Sequence, residues 1–165
     1  MDADRFWQII EGAKSRTADG EQQVDLILEQ LRTLPAAEIV SFEVLYDEFR
    51  FRAYRWDLWG AAYIMNGGCS DDGFEYFRGW LISRGRAVYE RALENPDSLA
   101  TEFDPERDDC ELESLLYISQ RAYEDVTGEP MPERGRDFPE LVGERWEEAD
   151  LDAMFPRLTA REAST

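Results

Sequence analysis

The chain has 165 residues, the size of one ordinary domain, and its 43% apolar fraction is enough to close a single core without metals or disulfides. Its 37 acidic residues outnumber 18 basic ones for a net charge of −19, a field that repels phosphate backbones and anionic lipid and attracts basic surfaces. With no histidine, Ser-His-Asp and Cys-His arrangements and His-ligated zinc or iron sites are excluded.

Helical periodicity recurs along the chain and strand alternation does not, so an all-α fold of about six to eight helices is expected. Asp2 is placed to cap a first helix whose inner face is Phe6, Ile9, Ile10 and Ala13, with Trp7 beside it. The opening MDADRFWQII has neither a positive n-region nor an apolar h-region, and no run is long enough to span a bilayer, so a cytoplasmic protein with no membrane partner is expected. Gly12-Ala13-Lys14-Ser15 holds the only lysine; it lacks the glycine directly before lysine of a phosphate loop and follows no strand, so it is rejected as a nucleotide site.

Val24, Ile27, Leu28 and Leu31 mark a second helix after Gly20. Pro35 then restarts the chain into a third, to about Arg52, with Ile39, Phe42, Tyr46 and Phe49 on one stripe and Val40 and Leu45 widening it. A fourth helix is expected over Trp56 to Met65, ended by Asn66-Gly67-Gly68. A fifth follows the cap Ser70, with Asp71 and Asp72 in its first turn and Phe74, Phe77 and Leu81 as its stripe. Gly85 bends or breaks it before Val88, Tyr89 and Leu93, and Asn95-Pro96 stops the next helix.

Beyond Pro96 an acidic connector from Asp104 to Glu113 leads to a helix through Leu115, Ile118, Ala122 and Val126, closed by Gly128. Pro130, Pro132 and Pro139 read as an extended surface segment that rejoins the body through Leu141, Trp146 and a short helix near Leu151 to Phe155. Residues 1–158 are expected to form one domain, with 102–158 as connector, helix and C-terminal wrap and 159–165 as a frayed tail.

The run RWDLWGAAYIMNGGCSDDGFEYFRGWLISRGRAVYERALENPDSLA, with the opening FWQIIEGA, resembles the bacterial domain-of-unknown-function family 4240 over about residues 1–101. The aromatic helix, Gly-Gly-Cys-Ser turn and FRGWLI helix in that order carry the resemblance. It implies a small helical bacterial domain and, because the family has no agreed activity, supplies no catalytic residues.

Several side chains are candidates for a site. Asp57, among Trp56, Trp59 and Tyr63, and Arg78, on the stripe of Phe74 and Leu81, are expected to pair, with Arg84 as a rival partner; packing two helices is the preferred role of such a pair. If the protein is an enzyme, Asp57 or Asp71 would accept a proton and Arg78 or Arg84 would clamp an anion. Cys69 precedes a helix N-terminus, yet Asp71 and Asp72 oppose a thiolate, and a buried turn thiol is preferred to a nucleophile. Cys69 and Cys110 belong to no disulfide framework.

Trp56, Trp59, Tyr63, Tyr76 and Trp80, with Asn66 and Cys69, would line an aromatic ligand cleft, although rings at helical spacing are first read as core. Asp104, Glu106, Asp108 and Asp109 lack the glycine and final glutamate of a calcium loop, so neither metal nor cofactor is expected. Two readings follow: a binding or accessory module whose acidic surface and aromatic cleft hold a basic protein or peptide, or a small metal-independent enzyme built on carboxylates and arginine.

Overall fold

The structure, a computed structural model, describes residues 1–106, 109–135 and 137–164. Helix α1 (Ala3–Lys14) starts where the Asp2 carboxylate accepts from Arg5 N at 2.8 Å. Helix α2 (Gly20–Leu31) starts the same way, with Asp19 accepting from Gln22 N at 2.8 Å. These caps satisfy amide groups that a helix start leaves without partners. Helix α3 (Ala36–Arg52) follows Pro35, and α4 (Trp56–Met65) and α5 (Asp71–Ser83) flank the glycine turn.

That turn works through backbone shape. Gly67 (φ 64°) and Gly68 (φ 120°) take conformations closed to most side chains, and Gly68 N closes the end of α4 on Tyr63 O at 2.8 Å. Ser70 then caps α5 by accepting from Gly73 N at 3.1 Å. The arms pack together, with Trp59 of α4 stacked on Phe74 of α5 at 5.1 Å between centroids. Gly85 (φ 94°) separates α5 from α6 (Arg86–Glu94), and a 3-10 turn covers Pro96–Thr101. A second 3-10 turn (Glu113–Tyr117) leads into α7 (Ile118–Thr127), closed by left-handed Gly128.

The core sits where α1, α3, α5 and α6 meet. Phe6, Phe42, Phe49, Trp7 and Tyr89 form one aromatic block, with Phe6 to Phe42 and Trp7 to Phe49 both at 4.7 Å, and the Tyr89 hydroxyl donates to Phe49 O at 2.8 Å. Each such ring removes about 1.5–3 kcal/mol worth of apolar surface from water, so this block is a substantial part of the core that holds the helical body together. Among the described residues there is no strand, only one isolated parallel bridge between Arg55 and Val142. No described helix is long and apolar enough to cross a membrane.

The last forty residues wrap back. An irregular segment after Gly128 carries the three prolines and pairs its backbone with the α3–α4 corner, Trp56 N donating to Val142 O at 2.9 Å and Val142 N to Tyr54 O at 3.2 Å. The short helix α8 (Leu151–Met154) follows, and then α9 (Pro156–Ala163) stands where the sequence suggested a frayed end. Its order comes from a residue sixty positions upstream. The buried Asp97 carboxylate accepts from Leu158 N at 2.9 Å and from Arg157 N at 3.1 Å, capping a helix whose own N-cap, Phe155, has no polar side chain. Leu158 is fully buried beneath it. Of the acidic connector residues, Asp108 lies outside the described residues.

Candidate functional site

The buried stripe of α3 is charged as well as apolar. Glu43, Asp47 and Arg50 follow Ile39 at intervals of four, four and three, which places them on the face α3 turns toward α5 and α7. Arg50 Nη2 donates to Asp47 Oδ1 at 3.1 Å, and its Nη1 to Glu75 of α5. The second Asp47 oxygen accepts from Arg134 Nη2 at 3.0 Å, while Glu43 Oε1 lies 4.0 Å from Arg134 and accepts from Gln120 of α7 at 2.8 Å. Buried carboxylates are thus matched by arginines from two directions, the arrangement that offsets their desolvation. The Tyr46 hydroxyl lies beside this network, and burial pushes its pKa far above the ordinary value.

Arg78 is 6% exposed, as its place on the inner stripe of α5 predicts, but its partners differ from expectation. Nε donates to Phe74 O at 3.3 Å, Nη1 donates to Arg50 O at 3.1 Å, and the guanidinium lies over the Tyr54 and Phe74 rings at 4.7 and 5.0 Å. Among the described residues it has no carboxylate within ion-pair distance. The expected partner Asp57 instead takes both arms of Arg55, at 3.0 and 2.5 Å, and accepts from Leu58 N at 2.8 Å in the first turn of α4. Arg78 faces the last turn of α3, where the Arg50 carbonyl and the negative dipole end meet part of the charge that a carboxylate was expected to meet. Burial and the nearby Arg50 lower its pKa to about 10.

Arg50, Phe51, Tyr54, Asp71, Asp72, Glu75, Arg78, Phe138 and Pro139 line a cleft of about 220 Å³. The structure therefore brings Asp71 and Arg78 together and leaves Asp57 and Arg84 outside. Arg84, at the far end of α5, stacks over Trp80 at 5.8 Å, and its carbonyl accepts from Lys14 Nζ at 2.5 Å.

The expected aromatic cleft is not assembled. Trp56 stacks on Trp59 at 5.4 Å and Tyr63 lies near them, but the space they enclose is taken by Trp146, whose Nε1 donates to Trp56 O at 2.7 Å and whose ring meets Tyr63 at 5.4 Å. Gly60 permits this cover: a Cβ there would stand 2.8 Å from Phe155 and 3.0 Å from Leu151. Trp80 is buried against Phe77 at 5.6 Å, and Tyr76 borders Glu113, away from the two indoles. Asn66 clasps the backbone of Cys110, accepting from its N at 3.2 Å, which is a structural task. The Cys69 carbonyl accepts from Trp59 Nε1 at 3.0 Å, and burial with the Glu111 charge pushes the thiol up to about 12, so it is held as the unreactive thiol.

Sequence reasoning missed Glu43, Asp47, Arg50, Glu75 and Arg134. For the first three a signal existed, since their spacing from Ile39 continues the apolar stripe; charge alone had set them outside it. Arg134 carries none, because its partners lie about ninety positions earlier.

Compared with known protein families, residues 1–125 match Protein of unknown function (DUF4240). The chain belongs to DUF4240. The match reaches past residue 101, where the resemblance in the sequence fades, to the last turn of α7, so the DUF4240 region supplies Glu43, Asp47, Arg50, Glu75 and Arg78. Arg134, Phe138, Trp146 and Phe155 come from the segment beyond it. Searches of curated proteins and of solved structures gave no match.

Proposed function

We propose that this chain is a cytoplasmic binding or accessory module that engages a basic protein or peptide through its carboxylates. The observation that carries the reading is Arg134: an irregular, proline-containing stretch delivers a guanidinium to Asp47 at 3.0 Å beside Glu43, and both carboxylates are buried. A DUF4240 body that accommodates an arginine from its own extended segment has the chemistry to accommodate one from another chain. The net charge of −19 favours encounter with such a partner, and the two free thiols accord with a reducing compartment. The enzyme alternative loses its Asp57 version, because Asp57 is engaged by Arg55 and not by Arg78, and rests on Asp71 beside Arg78.

The test is fluorescence anisotropy of a labelled extended peptide carrying three arginines, titrated with the full chain at low and physiological salt. Binding that weakens as salt rises, since exposed charges are screened beyond ~8 Å at 0.15 M, and that strengthens in Arg134→Ala, supports the reading. Affinity indifferent to both salt and Arg134 refutes it.

A further inference from the structure

We infer that the cleft between α3 and α5 binds a small zwitterion with an apolar body, its carboxylate on Arg78 and its ammonium toward Asp71 and Asp72. The argument starts from Arg78. It is 94% buried by its 6% exposure, yet of five guanidinium N–H donors only those on Nε and Nη1 toward Phe74 O and Arg50 O are engaged among the described residues. Nη2 donates to nothing there. Both acceptors are neutral carbonyls. A buried cation with no carboxylate at ion-pair distance is costly even with the Glu75 charge in the same cleft, and the fold nevertheless fixes this one by two hydrogen bonds and two ring faces. A guanidinium held still with its remaining donors on a cleft is prepared for a planar anion.

The other charges select among anions. Arg50, which also lines the cleft, is already matched by Asp47 and Glu75, so Arg78 is the cation left for a ligand. Asp71 and Asp72 stand exposed at the start of α5 and form no ion pair among the described residues. A bare dianion entering past them is repelled, whereas a molecule with an ammonium beside its carboxylate is satisfied at both ends. Phe51, Tyr54 and Phe138 supply apolar walls, Phe51 and Phe138 meeting edge to face at 5.6 Å. The volume of about 220 Å³ is below the ~300 Å³ at which drug-sized pockets begin, which restricts the ligand to the size of a single amino acid. This site is distinct from the Arg134 contact, although the segment of Arg134 also supplies Phe138 and Pro139 to its wall and Asp47 meets both Arg50 and Arg134: its unmatched charges lie on α5, and its ligand is not a protein.

The experiment titrates L-phenylalanine into the full chain, followed by the Arg78 Nε–H resonance in ¹⁵N NMR and by thermal shift, with phenylacetate and phenethylamine as single-charge controls. L-phenylalanine should saturate with a Kd in the low millimolar range or tighter, shift the Arg78 resonance, and bind about tenfold better than either control. Asp71→Asn with Asp72→Asn should weaken it about tenfold in a chain that still folds, and Arg78→Lys, which keeps the charge and loses the fork, should weaken it by a similar factor. No saturation by about 10 mM overturns the inference, as does phenylacetate or phenethylamine binding as well as the zwitterion, or binding indifferent to the Asp71 and Asp72 pair. Should Arg78→Lys not fold, the aspartate variant and the Arg78 resonance decide between these outcomes.

Discussion

Replacing Asp97 by alanine should release the C-terminal helix while leaving the rest of the fold in place. The carboxylate accepts from Leu158 N at 2.9 Å and from Arg157 N at 3.1 and 3.2 Å, and Pro156 has no amide hydrogen, so these are the first donors α9 must satisfy. A lost cap costs about 0.5–2 kcal/mol, and a hydrogen bond to a charged group about 1.5–3 kcal/mol. Asp97 is 6% exposed and Leu158 0%, so water replaces the carboxylate poorly and a loss of about 2 kcal/mol is the working figure. That is roughly a 30-fold shift in the opening equilibrium of α9. Native-state hydrogen exchange of the α9 amides should accelerate by that factor, and trypsin should cut sooner at the exposed Arg157 and Arg161. Asp97→Asn, which retains an acceptor without the charge, should fall between. Unchanged exchange in α9 would refute the claim that a distant carboxylate starts this helix.

Gly79→Ala should destabilise the body by about 1–3 kcal/mol in urea denaturation, because the added Cβ would stand 2.9 Å from the backbone oxygen of Leu112 and 3.2 Å from the Tyr46 hydroxyl. Gly60→Ala should act on the C-terminal cover alone, read as faster proteolysis after Trp146, since its Cβ meets Phe155 and Leu151. Arg134→Ala should lower stability by about 1 kcal/mol and Arg134→Lys by less, measured by the same denaturation, because one oxygen of a buried carboxylate loses its cation. Cys69, pushed up to about 12, should resist iodoacetamide at pH 8 in the folded protein. Because the folded value is raised above the ordinary 9.0, the thiol's contribution is complete below about pH 9 and is lost as pH climbs toward 12; Cys69→Ser should flatten the alkaline decline in stability over that window.

Local signals carried the helices. Asp2, Ser70, the Gly67-Gly68 pair and Gly128 all act where short-range stereochemistry places them, because caps and left-handed turns depend on a few consecutive residues. The site was legible only in part. That Arg78 turns inward follows from its spacing to Phe74 and Leu81, but what it meets depends on the end of α3, which no periodicity reports. The aromatic cleft failed for the opposite reason: Trp56, Trp59 and Tyr63 do gather, and a segment eighty or more residues later covers them. Likewise nothing near Pro156 signals that its helix is capped from Asp97.

The cover over Trp56, Trp59 and Tyr63 also has a consequence in time. Residues 1–125 can gather most of the aromatic core as they are made, but the residues that seal the indoles, Trp146, Leu151 and Phe155, and the helix anchored by Asp97 arrive only with the final forty. At the usual ~5–20 residues per second, synthesis from residue 126 to 163 leaves that apolar face uncovered for about 2 to 8 s in every newborn chain. A chain that terminates early, or is clipped between Gly128 and Trp146, keeps its helices and a sticky flank, which makes the wrapped end as much a guard against self-association as a part of the folded body.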